Sequence, residues 1–173
     1  MAKELLGRFL IREWKDGKKE KLKIIETEAY EGFEDKASHA SRGKTARNSP
    51  MFAEAGTIYV YFTYGMHYML NIVCGPKNHP SAVLIRGITH PQPLSYIKRG
   101  EKTKNINLSG PGRLTKYLKI DKTFNNQKLG KKIGLWIKSP KQNTKIRILK
   151  TPRVGVAYAG PAWSRKLYRF VLK

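Results

Sequence analysis

Glu26, Glu28 and Glu31 put three acids within six residues of a chain whose formal net charge is +23. In an extended backbone side chains alternate faces, so Glu26 and Glu28 share one face of a strand and Thr27 takes the other. On a face that lines a cleft, such a pair supplies a general base: one carboxylate activates a water molecule while its neighbour perturbs its pKa. The same two acids would also serve to pair with surface lysines and arginines, and local sequence does not choose between these readings. His39, eleven residues after Glu28, suits a metal ligand, a hydrogen-bond donor to a substrate or a plain structural histidine. The remaining histidines, His67, His79 and His90, show no ligand spacing, and neither His-x-x-x-His nor Cys-x-x-Cys occurs, so no metal site is expected. A Gly-x-Ser-x-Gly elbow, a Walker loop and a dinucleotide fingerprint are also absent. The stretches "SGPG" (109–112) and "GVAYAG" (155–160) read as turns, not phosphate cradles.

A second constellation is aromatic. The stretch "TIYVYFTYGMHYMLN" (57–71) is two β-branched and aromatic runs around Tyr64-Gly65, where Gly65 permits a positive φ and Tyr64 stands at or beside a hairpin tip. Tyr59 and Tyr61 share a strand face, and with Tyr64 and Tyr68 they offer flat surfaces on which bases could stack, each stack worth about 1–3 kcal/mol. A tyrosine at such a tip can wedge between base pairs; an ordinary tyrosine-rich β core is the plainer alternative. Asn71 and Arg86, on adjoining expected strands, add an amide and a fixed positive charge to the same cleft.

The charge distribution points to the partner. Residues 1–35 hold nine of the twelve acids against eight Lys or Arg, a net of −1, whereas residues 36–173 hold 27 Lys or Arg against Glu54, Glu101 and Asp121, a net of +24. A balance this basic favours a polyanion, because each neutralised phosphate releases condensed counterions. A solubilising surface or an acidic membrane partner is the bland reading, but no basic amphipathic helix supports the membrane version. No apolar run approaches the roughly 18 residues of a membrane span, and "MAKELLGRFL" lacks a secretory signal's apolar core. An intracellular protein is expected. Cys74, the single cysteine, reads as a buried structural thiol.

The elements that must position these residues follow from periodicity and turn signals. Strands are expected over 8–13 and 22–28, joined by a turn at Asp16-Gly17, so that the acidic motif ends a strand. The aromatic hairpin comes next, then a strand over 81–86 ending in Arg86. Residues 114–118 are helical in pattern, and further strands are expected over 133–138, 145–149, 153–158 and 168–172. Short helices fill 35–42 and 94–99. No composition shift marks a boundary. The expectation is one α+β domain over 1–173, with a mainly antiparallel curved β-sheet, flanking short helices and a protruding hairpin.

Wedge, stacking pocket, carboxylate base and polyanion-binding surface together describe an enzyme that extrudes a base and acts on it. The segments "IIETEAY", "MFAEAGTIYVYFTYGMHYMLNIV", "AVLIRG", "LSGPGRLTKYLKID" and "RVGVAYAGPAW" resemble the alkyladenine DNA glycosylase family, the 3-methyladenine glycosylases of the animal type, in that family's motif order over about residues 5–171.

The resemblance implies a monofunctional glycosylase that flips and hydrolyses alkylated or deaminated purines in double-stranded DNA, leaving an abasic site. It needs no metal or organic cofactor and acts as a monomer, in the cytoplasm or nucleoid of a prokaryote or the nucleus or an organelle of a eukaryote. Glu28 matches the family's general base. Arg86 matches the arginine that holds the attacking water and a phosphate, and the Val156 carbonyl a further water contact. Tyr30 and Tyr61 match the aromatics that sandwich the flipped base, with His39 completing the stack. Tyr64 matches the intercalating wedge on the hairpin that enters DNA, and Asn71 the residue that disfavours the 2-amino group of normal guanine. Glu26 and Glu31 shape the field around Glu28.

Departures are modest. The longer terminal extensions of animal members are missing, Ser38 precedes His39 where they carry alanine, and His67 and Tyr68 follow the wedge in place of other large residues. Two rivals stand beside the glycosylase: a noncatalytic basic nucleic-acid-binding protein, which leaves the carboxylate pair unexplained, and a metal-dependent nuclease, which needs clustered acids.

Overall fold

The computed structural model describes residues 1–90, 107–141 and 145–173. A short helix, α1 (Ala2–Leu5), leads into β1 (Phe9–Glu13), and β1 turns back into the long β2 (Lys19–Glu31). The turn at Asp16-Gly17 works as its residues suggest: Gly17 takes φ +80°, and the Asp16 carboxylate accepts from the Lys18 N–H at 3.0 Å. The aromatic hairpin is β3 (Ile58–Thr63) and β4 (His67–Val73), followed by β5 (Ser81–Thr89), β6 (Asn107–Ser109), α2 (Pro111–Leu118), β7 (Leu135–Lys138), β8 (Ile148–Thr151), α3 (Gly160–Ser164) and β9 (Arg169–Leu172).

All strand pairings among the described residues are antiparallel, and the sheet runs β3-β4-β5-β2-β1-β7, with β6 on β5 and the β8-β9 pair joined to β2. The sheet does not close into a barrel. The fold is α+β, with few short helices beside a mainly antiparallel sheet. β2 is its axis: its first half pairs β1, its second half pairs β9, and β5 lies along its other edge. A strand bonded on both edges is hard to distort, which suits it to carry Glu26 and Glu28.

Leu10, Leu22, Ile24, Ile58, Leu70, Ile85 and Ile88 from the sheet pack against Leu114 and Leu118 of α2, all fully buried. Each such side chain contributes about 1.5–3 kcal/mol of transfer free energy. Leu114 and Leu118 are four apart and so share one helix face, which clamps α2 onto the sheet and holds its N-terminal end, Pro111 to Arg113, at the rim of a large cleft.

Several expected boundaries move. The strand expected over 153–158 does not form: β8 already ends at Thr151, Pro152 follows, and the chain leaves the sheet before a single 3-10 turn at Ala157–Ala159. The strand expected over 145–149 is instead Ile148–Thr151, set by its pairing with β9. The helix expected over 35–42 is a set of turns ending in a 3-10 turn at His39–Arg42, capped by the Ser38 hydroxyl, which accepts from the Ala40 N–H. The helix expected over 94–99 lies outside the described residues. Cys74 is half-buried, not fully buried, and is a free thiol. No helix among the described residues is long and apolar enough to cross a membrane.

Candidate active site

Glu26 and Glu28 are buried on one face of β2, and both touch Arg86 of β5. Thr27 points the other way, its hydroxyl donating to the Ala2 carbonyl at 2.9 Å. The alternation rule therefore holds through a bulge in the β2-β5 register at Ile24 to Thr27. Gly87 stands opposite Glu26, where a Cβ would come within 2.9 Å of the Glu26 Cβ. Only glycine leaves room there for a buried carboxylate and the arginine beside it.

The two acids live in different environments. Glu26 accepts from Arg86 Nε at 2.9 Å, from Arg169 Nε at 2.6 Å and from the Ser109 hydroxyl at 3.3 Å. Burial alone would raise its pKa, but the hydrogen bonds from Arg169 and Arg86 outweigh it and hold the carboxyl below its ordinary range. Glu28 is fully buried; it accepts from the Val154 N–H at 2.8 Å and the Tyr30 hydroxyl at 2.9 Å, while Arg86 Nη1 lies 3.5 Å away. Here burial dominates over Arg86, the Val154 N–H and Tyr30, and the pKa is raised. Neighbouring carboxyls pushed in opposite directions are how a site separates a permanent anion from a working base.

Glu28 lies in a cleft of about 990 Å³ lined by Tyr30, His39, Tyr61, Asn71, Arg86 and Val156 among others, so seven of the eight residues singled out in the sequence converge there, and Tyr64 stands at the rim. The Tyr61 ring is 4.6 Å from the His39 imidazole, nearly perpendicular to it, and 5.3 Å from the Tyr59 ring. His39 Nδ1 and the Tyr59 hydroxyl are 2.9 Å apart. Burial pushes the Tyr59 hydroxyl up to about 12, and Tyr30 and Tyr61 are raised by the same cause, so all three are neutral near pH 7. Burial and Arg47 lower the His39 pKa, which leaves a neutral imidazole. Asn71 donates both amide hydrogens, to Tyr59 O at 3.1 Å and Met69 O at 3.3 Å, leaving Oδ1 as its remaining polar atom at the wall. Tyr68 does not join this group: it packs on Phe62, centroids 4.9 Å apart, and on the main core.

Tyr64 is 76% exposed at the hairpin tip. Both Tyr64 (φ +53°) and Gly65 (φ +66°) are left-handed, with Met66 N–H closing the turn on Thr63 O at 3.2 Å, the pattern of a type I′ turn. A non-glycine residue in that conformation costs on the order of 1–3 kcal/mol, a strain typical of functional positions. The rim also carries Lys36, Arg42, Arg47 and Arg113. Among the described residues no group of three or more His, Cys, Asp or Glu is placed to hold a metal ion.

Sequence reasoning missed several neighbours. Val154 donates its N–H to Glu28, and the carbonyl of Val156, two residues on, accepts from the Ala159 N–H at 3.0 Å. Arg169 holds Glu26 from β9, and Tyr158 donates to Ala37 O at 2.9 Å across the mouth. Arg153 pairs with Asp35, both side chains fully buried. Val154, Arg169, Tyr158 and Arg153 each lie more than 100 residues from the groups they hold, and no local spacing reveals that. The one available signal was the scarcity of acids after residue 35, which leaves few partners for the late arginines.

A buried carboxylate with a raised pKa, aromatic walls and a basic rim suit a flat ring carried on a polyanion. The chain is matched over residues 1–173 by the model of the methylpurine-DNA glycosylase (MPG) family, and it belongs to that family. It is 43% identical to a protein of Borreliella burgdorferi (strain ZS7) over 174 residues, covering 100% of this chain and 89% of that one. With a protein of Legionella pneumophila (strain Corby) the identity is 40%, over 100% of this chain and 87% of that one. A Chlorobium phaeobacteroides protein is 48% identical over 131 residues, 75% of this chain and 67% of its own length. All three carry the name "Putative 3-methyladenine DNA glycosylase". These relatives are bacterial, so the likeness is to the family at large, and the qualifier "animal type" is not carried further.

Proposed function

We propose that this chain is a monofunctional DNA glycosylase, one domain over residues 1–173. It flips alkylated purines such as 3-methyladenine and 7-methylguanine out of double-stranded DNA and hydrolyses their glycosidic bonds, leaving an abasic site. The observation that carries this reading is Glu28: a fully buried carboxylate with a raised pKa in an aromatic cleft, which a noncatalytic DNA-binding protein has no use for.

In this reading the flipped base lies between Tyr30 on one side and Tyr61 with His39 on the other, and Tyr64 fills the gap left in the duplex. Ionised Glu28 takes the proton of the attacking water and stabilises positive charge developing on the sugar. Arg86, anchored by Glu26, keeps a fixed cation beside that water and a backbone phosphate, and Val156 contributes to the water's surroundings. Asn71 limits which purine edges fit. Purines alkylated at N3 or N7 are cationic before they leave, so the site needs no proton donor for them; hypoxanthine and ethenoadenine are neutral and set a harder test. Lys36 is the one lysine on the cleft wall among the described residues, exposed at the rim while Glu28 is buried. That placement favours water over an amine as nucleophile, and so an uncut strand. The protein would act as a monomer inside the cell, where its substrate is.

The test is single-turnover incubation in EDTA of wild type and Glu28→Gln with methylated duplex DNA and with duplexes carrying one hypoxanthine or ethenoadenine, reading free base and alkali-revealed breaks. Wild type should release base with breaks only after alkali, and the variant should be slower by roughly 10²–10⁴-fold. Release that stops in EDTA, strand cleavage without alkali, or an undiminished variant would each overturn the assignment.

A further inference from the structure

The proposed chemistry makes no use of the most completely buried ion pair among the described residues. Asp35 Oδ1 accepts from Arg153 Nη2 at 2.8 Å and from the Ala37 N–H at 3.1 Å; Oδ2 accepts from Arg153 Nη1 at 2.5 Å and from the Glu31 N–H at 3.3 Å. Every acceptor direction of this carboxylate is occupied. Two of its bonds hold the loop that follows β2 and leads to His39, and two hold Arg153. The guanidinium reaches further: Nη1 also donates to Ala29 O at 2.8 Å, between Glu28 and Tyr30 in the chain. Its carbon lies 4.7 Å from the centre of the Tyr30 ring and 5.2 Å from that of Tyr168. Its Nε has no partner among the described residues.

A buried pair of this kind is weak as a source of stability, because desolvation offsets most of the attraction and apolar residues of similar volume often do as well. What it supplies is registry. The residue after Arg153 is Val154, whose N–H donates to Glu28 at 2.8 Å, in a segment that has left the sheet after Thr151 and has no ladder of its own. We propose that Arg153 and Asp35 are positioning residues for Glu28: their pair ties the two pocket loops to β2, and thereby aims the Val154 N–H at the carboxylate and holds Tyr30 against the cleft. This rests on the reading of Glu28 as the base.

The consequence is measurable in the pH dependence. Glu28 faces Arg86 from β5, Tyr30 from its own strand, Tyr61 from β3, Tyr158 and Arg153 from the segment after β8, and its register partner on β9, Arg169, is turned to Glu26. Of these, substitution at Arg153 alters the Val154 N–H, the Tyr30 hydroxyl and one nearby positive charge, all of which favour ionised Glu28. Losing them moves its ionisation to higher pH.

The experiment compares wild type, Arg153→Lys and Arg153→Met for single-turnover release of base from methylated duplex DNA between about pH 5 and about pH 9, with thermal unfolding of each. The cationic leaving groups need no protonation, so the acidic limb reads the base alone. The expected result is a limb displaced upward by about one pH unit or more in Arg153→Met, that is, about tenfold slower release at a fixed pH on the limb, with the alkaline plateau within a few fold of wild type. Arg153→Lys, which keeps a cation against Asp35, should shift less. Coincident limbs in folded variants, a uniform loss at every pH, or failure of both variants to fold would each overturn the proposal. A wild type that releases no base would instead remove the function on which it rests.

Discussion

Arg86 donates Nε to Glu26 at 2.9 Å and reaches Glu28 only at 3.5 Å, so the cation nearest the candidate base is anchored by the other acid. Glu26 is itself shared with Arg169. The closely spaced acids thus divide the work: Glu26 is a fixed anion that holds two arginines, and Glu28 is left as the carboxylate whose charge state can change.

Glu26→Gln leaves Arg86 and Arg169 without their shared anion. The variant should lose about 1–3 kcal/mol of stability, seen as a lower urea midpoint at unchanged slope. Because the folded-state pKa of Glu26 is depressed, its contribution is complete above the unfolded carboxyl pKa and disappears as pH falls through the folded value. The difference between wild type and variant should therefore shrink on acidification below about pH 4. A gap independent of pH would show that shape, not charge, had been disturbed.

Glu28→Gln should do the opposite to stability. A carboxyl whose folded pKa is raised favours the folded state at low pH and disfavours it as pH rises through the folded value. Near neutral pH the variant is expected to be more stable than wild type by roughly 0.5–2 kcal/mol, with the advantage closing on acidification. Equal or lower stability at pH 7 would mean that Val154, Tyr30 and Arg86 compensate burial more fully than the raised pKa implies.

Tyr64 sits in a left-handed conformation that asparagine tolerates better, and Asn-Gly is a strong type I′ pair. Tyr64→Asn should keep or raise thermal stability while weakening capture of lesion-bearing duplex by about 1–3 kcal/mol, the size of one base–aromatic stack. Unchanged affinity would remove the wedge role. Lower stability would show that the ring, not the turn, supports the hairpin.

Lys36, Arg42 and Arg113 line the rim, and none has a carboxylate partner among the described residues. Arg42→Ala or Arg113→Ala should weaken binding to damaged and undamaged duplex alike and flatten the plot of log affinity against log salt by about 0.9 for each phosphate no longer neutralised. A variant whose salt slope matches wild type does not touch phosphate through that residue.

The β2 acids, the aromatic hairpin, the strand ending at Arg86 and the helix carrying Leu114 and Leu118 were legible in the sequence, because alternation, a glycine at a turn and spacing by four are local rules. The segment after Thr151 was not. It reads as a strand by composition, yet β8 is already paired through Thr151, and the chain crosses instead to the cleft, where its N–H serves Glu28.

By itself, then, the chain's order of residues determined that Glu26 and Glu28 share a face, that Tyr64 stands at a hairpin tip and that the excess positive charge lies downstream of the acidic motif. The resemblance singled out Glu28, but tertiary structure alone decided what holds it and why its environment differs from that of Glu26. The pKa of a carboxyl depends on how much water reaches it and which charges it meets, and here both are set by Arg86, Val154, Arg153 and Arg169, brought in from β5, β9 and the loop after β8. Spacing along a chain can put two acids side by side, but only packing can push their pKa values in opposite directions.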